Sequence, residues 1–445
     1  MKKTQKWPLH WQILCGMALG TLGGVALQMG QDFIFPLTAE AGVLSVLIDG
    51  MIQFNHSVGQ LFLRTLRLIA VPIVVVSLIL GAGQLNDIRA IGRIGLKTAA
   101  IYLFTTAMAI TIGLAVAIIL KPGQFVPQSV RDGLAHAGKS LAQGKIDGAV
   151  SPSFWSNIVN IVPTNPFSAI VEGNMIQVVF ISLCVGLLLS QIPKPQAKSI
   201  LDLSEAVNSV LIALVNVLMK VSPIAVLCLM LEVTASLGAD ILGAVFVYCL
   251  AVIIGLGVLL FGVYPILLRG LARRAFIPFV QSIAPAQLLA FSSSSSAATL
   301  PVTMECAEKN LKVSNDVRSF VLPLGATINM DGTALYQGVA ALFIAQLYGV
   351  ELGLNALLTI VLTATLASIG TAGVPGVGLI MLVIVLESIG LSPEVMAAGL
   401  AIIFGVDRIL DMCRTTVNVS GDCMVAVLVD HFEQQSKGSL GVLTD

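Results

Sequence analysis

The stretch Asp407-Arg408-Ile409-Leu410-Asp411-Met412-Cys413-Arg414-Thr415-Thr416-Val417-Asn418-Val419-Ser420-Gly421-Asp422 sets charged residues inside what the flanking sequence marks as a membrane helix. Apolar runs border it, Val395–Val406 before and Met424–Val429 after. At about 100° per residue, Asp407, Asp411, Arg414, Thr415, Asn418 and Asp422 fall within a stripe roughly 120° wide, with Arg408 at its edge. Ile409, Cys413 and Val417 occupy the opposite face. A charge at the bilayer centre costs on the order of 3 kcal/mol on insertion scales, so several on one face require polar partners. The bland alternatives are a helix end at the interface or ion pairs joining packed helices. Intramembrane ionisable groups are functional by default, so the stripe reads as a binding site for something charged.

Composition agrees with a membrane setting. Of 445 residues, 56% are hydrophobic and only 11% charged, and the mean hydropathy is +0.95. Such a chain is too apolar for a soluble globule and typical of a polytopic membrane protein. A formal net charge of zero leaves no nucleic-acid footprint. Cys15, Cys184, Cys228, Cys249, Cys306, Cys413 and Cys423 are scattered singly, with neither metal spacing nor a disulfide framework. The histidines His10, His56, His136 and His431 lie toward segment ends or in a long loop, which argues against a midplane histidine catalyst.

Crossing the hydrocarbon core takes about 20 apolar residues. Trp11–Leu27, Val58–Gly83 and Ala99–Leu120 read as the first three spans, with Arg64 and Arg67 on the opening turns of the second. A polar stretch, Lys121–Ser153, reads as a long exposed loop. Ile158–Leu189 follows, broken at Pro163-Thr164-Asn165-Pro166, and then Ile200–Leu237 and Ile241–Leu268. Basic clusters at Lys2/Lys3/Lys6, Arg89/Arg93/Lys97, Lys194/Lys198 and Arg269/Arg273/Arg274 share one side if the spans alternate. The positive-inside rule then makes the N-terminus cytoplasmic, and the first apolar run reads as an uncleaved span rather than a signal peptide.

Further along, Phe276–Cys306 and Leu354–Leu386 are interrupted near their middles, by Ser292–Pro301 and Ser368–Gly378. Each half reads as too short to span, so each segment reads as a re-entrant hairpin. Irregular backbone at membrane depth is tolerated only where protein buries it or it lines a cavity. A Ser- or Gly-rich tip also presents helix N-terminal N–H groups to carboxylates. A small-residue packing face between ordinary spans is the alternative. After each hairpin comes a span with its own polar motif: Phe320–Leu347, interrupted at Gly325–Thr333, and the charged helix above. Two copies of hairpin plus polar helix suggest an internal repeat with the site at its interface.

Asn329-Met330-Asp331-Gly332-Thr333 places a carboxylate, an amide and a hydroxyl beside a glycine that favours local unwinding. Oxygen ligands with few acidic groups and no His or Cys suit sodium better than calcium or a transition metal. Asp422 and Asn418 offer the same ligand types. Arg414 is the natural clamp for a carboxylate, because its planar fork binds both oxygens. Asp411, one turn earlier, offers a place for an ammonium group. A ligand with two carboxylates and one amine, such as glutamate or aspartate, satisfies both residues and the hairpin tips.

Ser292–Pro301, Asn329–Gln337, Gly370–Gly378 and Asp411–Asp422 together resemble the dicarboxylate/amino acid:cation symporters, the glutamate transporter family, over nearly the whole chain. The resemblance implies an all-α polytopic membrane protein of eight transmembrane helices plus two re-entrant hairpins, built from inverted repeats, working as an elevator and assembled as a homotrimer. It implies scaffold helices one and two in residues 1–90, a transport-domain helix in 91–120, and an exposed loop with scaffold helices four and five in 121–237. Residues 238–445 would complete the transport domain. A multi-pass protein of the cell (inner) membrane with both termini cytoplasmic follows. Matched motif by motif, the implied substrate contacts are Ser295, Ser296, Thr333, Val374, Gly378, Asp411, Arg414, Thr415 and Asn418. One implied sodium site comprises Gly325, Asn329, Asn418 and Asp422, and a second Thr327, Met330, Ser368, Ile369 and Thr371. A third comprises Tyr102, Thr105, Thr106, Asn329 and Asp331.

Within that family, Asp422 stands where proton-coupled bacterial members carry Asn, which favours sodium. Gln337 stands where animal carriers place a proton-handling Glu. Arg414 is retained where neutral amino acid exchangers replace it. An accessory arginine carried by many members at the positions of Ser294 or Met412 is missing, and Arg408 lies one turn before Asp411. The alternative reading is a proton-coupled dicarboxylate or neutral amino acid transporter of the same fold. An intramembrane aspartyl protease using Asp331 and Asp422 would need a Gly-x-Gly-Asp element, which Ser420-Gly421-Asp422 lacks. A serine protease would need a histidine partner, and a plain channel would not need Arg beside Asp on one face.

Overall fold

The computed structural model of the chain describes residues 9–34, 43–83, 92–126, 159, 162–172, 175–237, 241–369, 373 and 375–441. Among them every regular element is helical. Met1–Pro8 and most of the polar loop after Lys121 lie outside the described residues, as do Arg89, residues 370–372 and Val374. The helices are α1 (Leu9–Ile34), α2 (Val43–Gly83), α3 (Gly92–Leu120), α4 (Pro166–Glu172), α5 (Met175–Leu189), α6 (Lys194–Leu237) and α7 (Ile241–Leu271). They continue as α8 (Phe276–Ser293), α9 (Ser296–Lys309), α10 (Asn315–Ile328), α11 (Asp331–Leu347), α12 (Leu354–Ile369), α13 (Val377–Ser388) and α14 (Pro393–Gly441). By length and composition, four described segments can cross a membrane: Ile94–Gln124, Pro195–Ala235, Ile241–Leu271 and Phe276–Ser293.

Two expectations are corrected here. The second span does not open near Val58: α2 begins at Val43, so Arg64 sits in its middle. The polar residues that interrupt the apolar run find partners on α6. Asn55 donates to the Cys228 carbonyl at 2.7 Å, and His56 lies 2.6 Å from Glu232. The first arm of the first hairpin is also not too short to span, since 18 residues reach about 27 Å. What makes it a hairpin arm is the reversal at Ser294-Ser295, after which α9 runs back along α8. Asn310 donates to the Ser282 carbonyl at 2.7 Å, and Ala286, Ala290 and Cys306 pack in one cluster.

Sequence chemistry explains the interruptions. Asn165 accepts from the Phe167 N–H at 2.9 Å, and Pro166 opens α4, an N-cap followed by proline at the first helical position. In α7, a π turn at Leu259–Val263 precedes Pro265. Proline cannot donate to the carbonyl four residues back and crowds it, and the wider turn makes room.

Packing places α14 against α8, α9, α10, α11 and α13, while α1 and α2 pack on α6, and α3 runs along α11. A side chain at Gly16 or Gly20 would strike the Pro223 and Leu227 carbonyl oxygens, so α1 and α6 meet backbone to backbone. The most enclosed elements are α11 and α13, apolar around nearly their whole circumference. A helix apolar all round belongs in an interior, and these two line the polar stripe of α14.

Candidate functional site

Two helix breaks and two hairpin tips converge on the polar stripe. The first tip forms because Ser294 takes a left-handed conformation, φ 53°. Ser295 then caps α9, its hydroxyl accepting from the Ala298 N–H at 3.1 Å. The second tip meets the first directly. The Gly373 carbonyl accepts from the Ser295 hydroxyl at 2.6 Å and from the Ala297 N–H at 3.2 Å. Gly376, at φ 82°, turns the chain into α13 and donates its N–H to Asp411 Oδ2 at 3.2 Å. A Cβ at Gly378 would lie 3.2 Å from the Thr333 methyl and 3.3 Å from Arg414 Nη2, so only glycine lets α13 come this close.

Arg414 is wholly buried. Its Nη1 donates to Asp407 Oδ1 and its Nη2 to Asp411 Oδ1, each at 2.8 Å, and its guanidinium carbon lies 3.7 Å from the Tyr336 ring centroid. Among the described residues its Nε has no hydrogen-bond partner. A guanidinium fork, a carboxylate and an aromatic face are thereby fixed in one place. Thr415 donates to the Asp411 carbonyl at 2.8 Å and stays buried beside it. Ser296 is buried at the first tip.

The break between α10 and α11 is stitched to α14. Asn418 accepts from the Gly332 N–H at 2.7 Å, and its amide lies 3.3 Å from the Thr333 hydroxyl and 3.4 Å from Met330 Sδ. Asn329 donates to Asp422 Oδ1 at 2.9 Å, while its own Oδ1 is buried without a partner among the described residues. A side chain at Gly325 would run into the Asp422 carboxylate and the Tyr102 hydroxyl. Asp331 is fully buried and saturated: Thr106 at 2.8 Å and Thr105 at 3.2 Å donate to Oδ1, and Tyr264 donates to Oδ2 at 2.9 Å. Tyr264 reaches it from the turn just after the π turn of α7. A buried carboxylate needs such donors, since an unmet charged acceptor costs several kcal/mol, on the order of 3.

The residues expected at the site are therefore brought together, apart from Ser368, whose described contact stays within α12, and those outside the described set. Val374 and Thr371 fall outside it, as does the Ile369 side chain. Thr327 donates to the Leu324 carbonyl and Ser368 to the Thr365 carbonyl, each within its own helix. Gly373 lies against the Ala326 carbonyl, bringing the second tip beside Thr327. Sequence reading missed five participants: Asp407 as Arg414's second carboxylate, Tyr336 under the guanidinium, Tyr264 on Asp331, and Gly373 and Gly376 through their backbone groups. Asp407 had a signal, since seven residues separate it from Arg414 on one face. Among the described residues no three His, Cys, Asp or Glu side chains gather as a transition-metal site would require.

The sequence model of the sodium:dicarboxylate symporter family matches residues 9–432. A proton/sodium-glutamate symport protein of Bacillus subtilis (strain 168) is 35% identical over 438 residues, covering 97% of this chain and 94% of that one. The proton/glutamate-aspartate symporter of Escherichia coli (strain K12) is 32% identical over 438 residues, with the same coverage. Excitatory amino acid transporter 1 of Ambystoma tigrinum is 35% identical over 422 residues, 84% of this chain and 77% of that one.

Proposed function

The chain belongs to the sodium:dicarboxylate symporter family, and from that premise we propose that it carries an acidic amino acid, glutamate or aspartate, across a membrane in symport with sodium. The family is one of transporters, not enzymes. One observation carries the reading: Arg414, shut off from solvent, lies between Asp407 and Asp411 beneath two joined hairpin tips. A side-chain carboxylate of the ligand takes the Arg414 fork, and the ammonium takes Asp411. The α-carboxylate lies at the N-terminus of α9, among the N–H groups that Ser295 and Ser296 introduce. Thr333, Gly378, Thr415 and Asn418 border the ligand, with Val374 at the second tip.

Sodium completes the arrangement as cargo. The unpartnered Asn329 Oδ1 beside Asp422, Gly325 and Asn418 supports one cation position built only of oxygens. Thr327, Met330 and Ser368, with Ile369 and Thr371, form a second under the lid. Tyr102, Thr105, Thr106, Asn329 and Asp331 form a third once the threonine hydroxyls turn their protons away from the carboxylate and leave their oxygens facing it.

We assign eight spans and two hairpins to the fold. In this reading α1, α2, α4 to α6 and a trimer contact form a fixed scaffold, and α3 with α7 to α14 moves as an elevator. The termini both lie on the cytoplasmic side. The side of α6 toward α13 and α14 supports the division, because Met219 and Met230 there meet Gly376 and Gly405, a soft face against a small one. Proteoliposomes containing the purified chain test the reading. Labelled aspartate should accumulate under an inward sodium gradient. Equal accumulation under a proton gradient in sodium-free buffer would replace sodium by protons as the coupling ion.

A further inference from the structure

Four ionisable groups are packed along one side of α14: Asp407, Arg408, Asp411 and Arg414. Arg414 alone has to face two buried carboxylates, which leaves one negative charge uncompensated. Arg408 supplies the missing charge. Its side chain is 10% exposed, and its Nη1 lies 3.7 Å from Asp411 Oδ2, the oxygen that Arg414 does not hold. Its Nε and Nη1 are buried and make no hydrogen bond among the described residues. Arg408 borders a water-sized void shared with Asp407, Asp411, Ile13 of α1 and Met219 of α6. Of the two carboxylates on that void, Asp407 is held by Arg414 and Asp411 is the one within ion-pair reach of Arg408.

We infer that Arg408 is a positioning residue that frees Arg414 for the ligand by taking over Asp411. The inference rests on the acidic-ligand reading of the site. A carboxylate entering the Arg414 fork must displace one of the two carboxylates already there. Without Arg408, the displaced Asp411 would keep only the neutral Gly376 N–H, which belongs to the second hairpin tip and leaves with it. Arg408 sits three residues before Asp411 on the same helix, so its support persists whatever the hairpin does. Its unused donors need only close a gap of under an ångström to reach hydrogen-bonding distance, about 2.9 Å. Asp411 then stays held in place and aimed at the ligand ammonium while Arg414 turns to the carboxylate.

The test compares the full chain with Arg408→Met, Arg408→Gln and Arg408→Lys, purified and titrated with L-aspartate at saturating sodium. Removing the charge should weaken aspartate binding by about tenfold to a hundredfold, and Arg408→Lys should restore most of it. Sodium binding measured without amino acid should stay at the wild-type value in all three, and uptake should show a raised KM with kcat retained. Wild-type aspartate affinity in Arg408→Met overturns the assignment. So does an Arg408→Lys variant no better than Arg408→Gln, which also decides the matter if Arg408→Met does not fold. A wild-type chain that binds no acidic amino acid at all overturns the proposed function, and this inference with it.

Discussion

Arg414 carries a testable weight out of proportion to its size. Arg414→Cys removes a buried charge-assisted pair, a loss of about 3–5 kcal/mol, or about two to four decades of affinity. Calorimetric titration with aspartate should show that loss, and an unchanged affinity would remove Arg414 from the pocket. Asp422 is the corresponding residue for the ion. Substrate affinity should rise steeply with sodium if the two sites fill together. Asp422→Asn should flatten that dependence, read as aspartate affinity across a sodium series. A wild-type slope in that variant would mean that Asp422 is no ligand. Helical periodicity alone put Asp411, Arg414, Asn418 and Asp422 on one side, which is why these side chains were legible from the chain. The donors on Asp331 were not equally so. Tyr264 arrives from α7 through a π turn, and no local pattern announces which way a tyrosine points after such a turn.

The two hairpins differ as elements. The first tip closes on itself, through the Ser295 cap on the Ala298 N–H and the left-handed Ser294, before it also meets the second at Gly373. The second is held from outside, by Asp411 at the Gly376 N–H and by Ser295 at the Gly373 carbonyl. Bonds that cross to other elements can be exchanged without unfolding the hairpin, as a lid requires. A spin-label pair reporting the distance from α13 to α14 should give a broad distribution without ligands and a narrow one with sodium plus aspartate. Identical distributions would place the gate elsewhere. Gly376→Ala should widen the bound distribution, because φ 82° is unfavourable for alanine and Met219 Sδ lies 3.0 Å from the added methyl. The existence of both breaks was legible as Ser- and Gly-rich interruptions, but their extent was not. α9 resumes at Ser296 and carries Pro301 inside it, since one proline removes a single helix bond that neighbouring packing can offset.

On the scale of the whole chain, the family similarity runs through residues 9–432, whereas composition gave only a polytopic membrane protein. Which helices belong together could not be read from hydropathy, because α3 and α6 are equally plausible spans. It is settled by contacts between residues far apart, such as those of Thr105 and Thr106 with Asp331. That pair of hydroxyls has a mechanical consequence. It fastens α3 to the ligand site, so in the elevator proposed above α3 would travel with the site while α2, packed on α6, would stay. Eight residues of sequence lie between Gly83 of α2 and Gly92 of α3, and a stretch of that length can bridge at most about 30 Å. Deleting four of them would cut the reach to about 18 Å, and such a variant should still bind aspartate while its uptake into proteoliposomes slows. In such an elevator the stride of the carrier would be bounded by the length of chain between two helices as well as by the site itself.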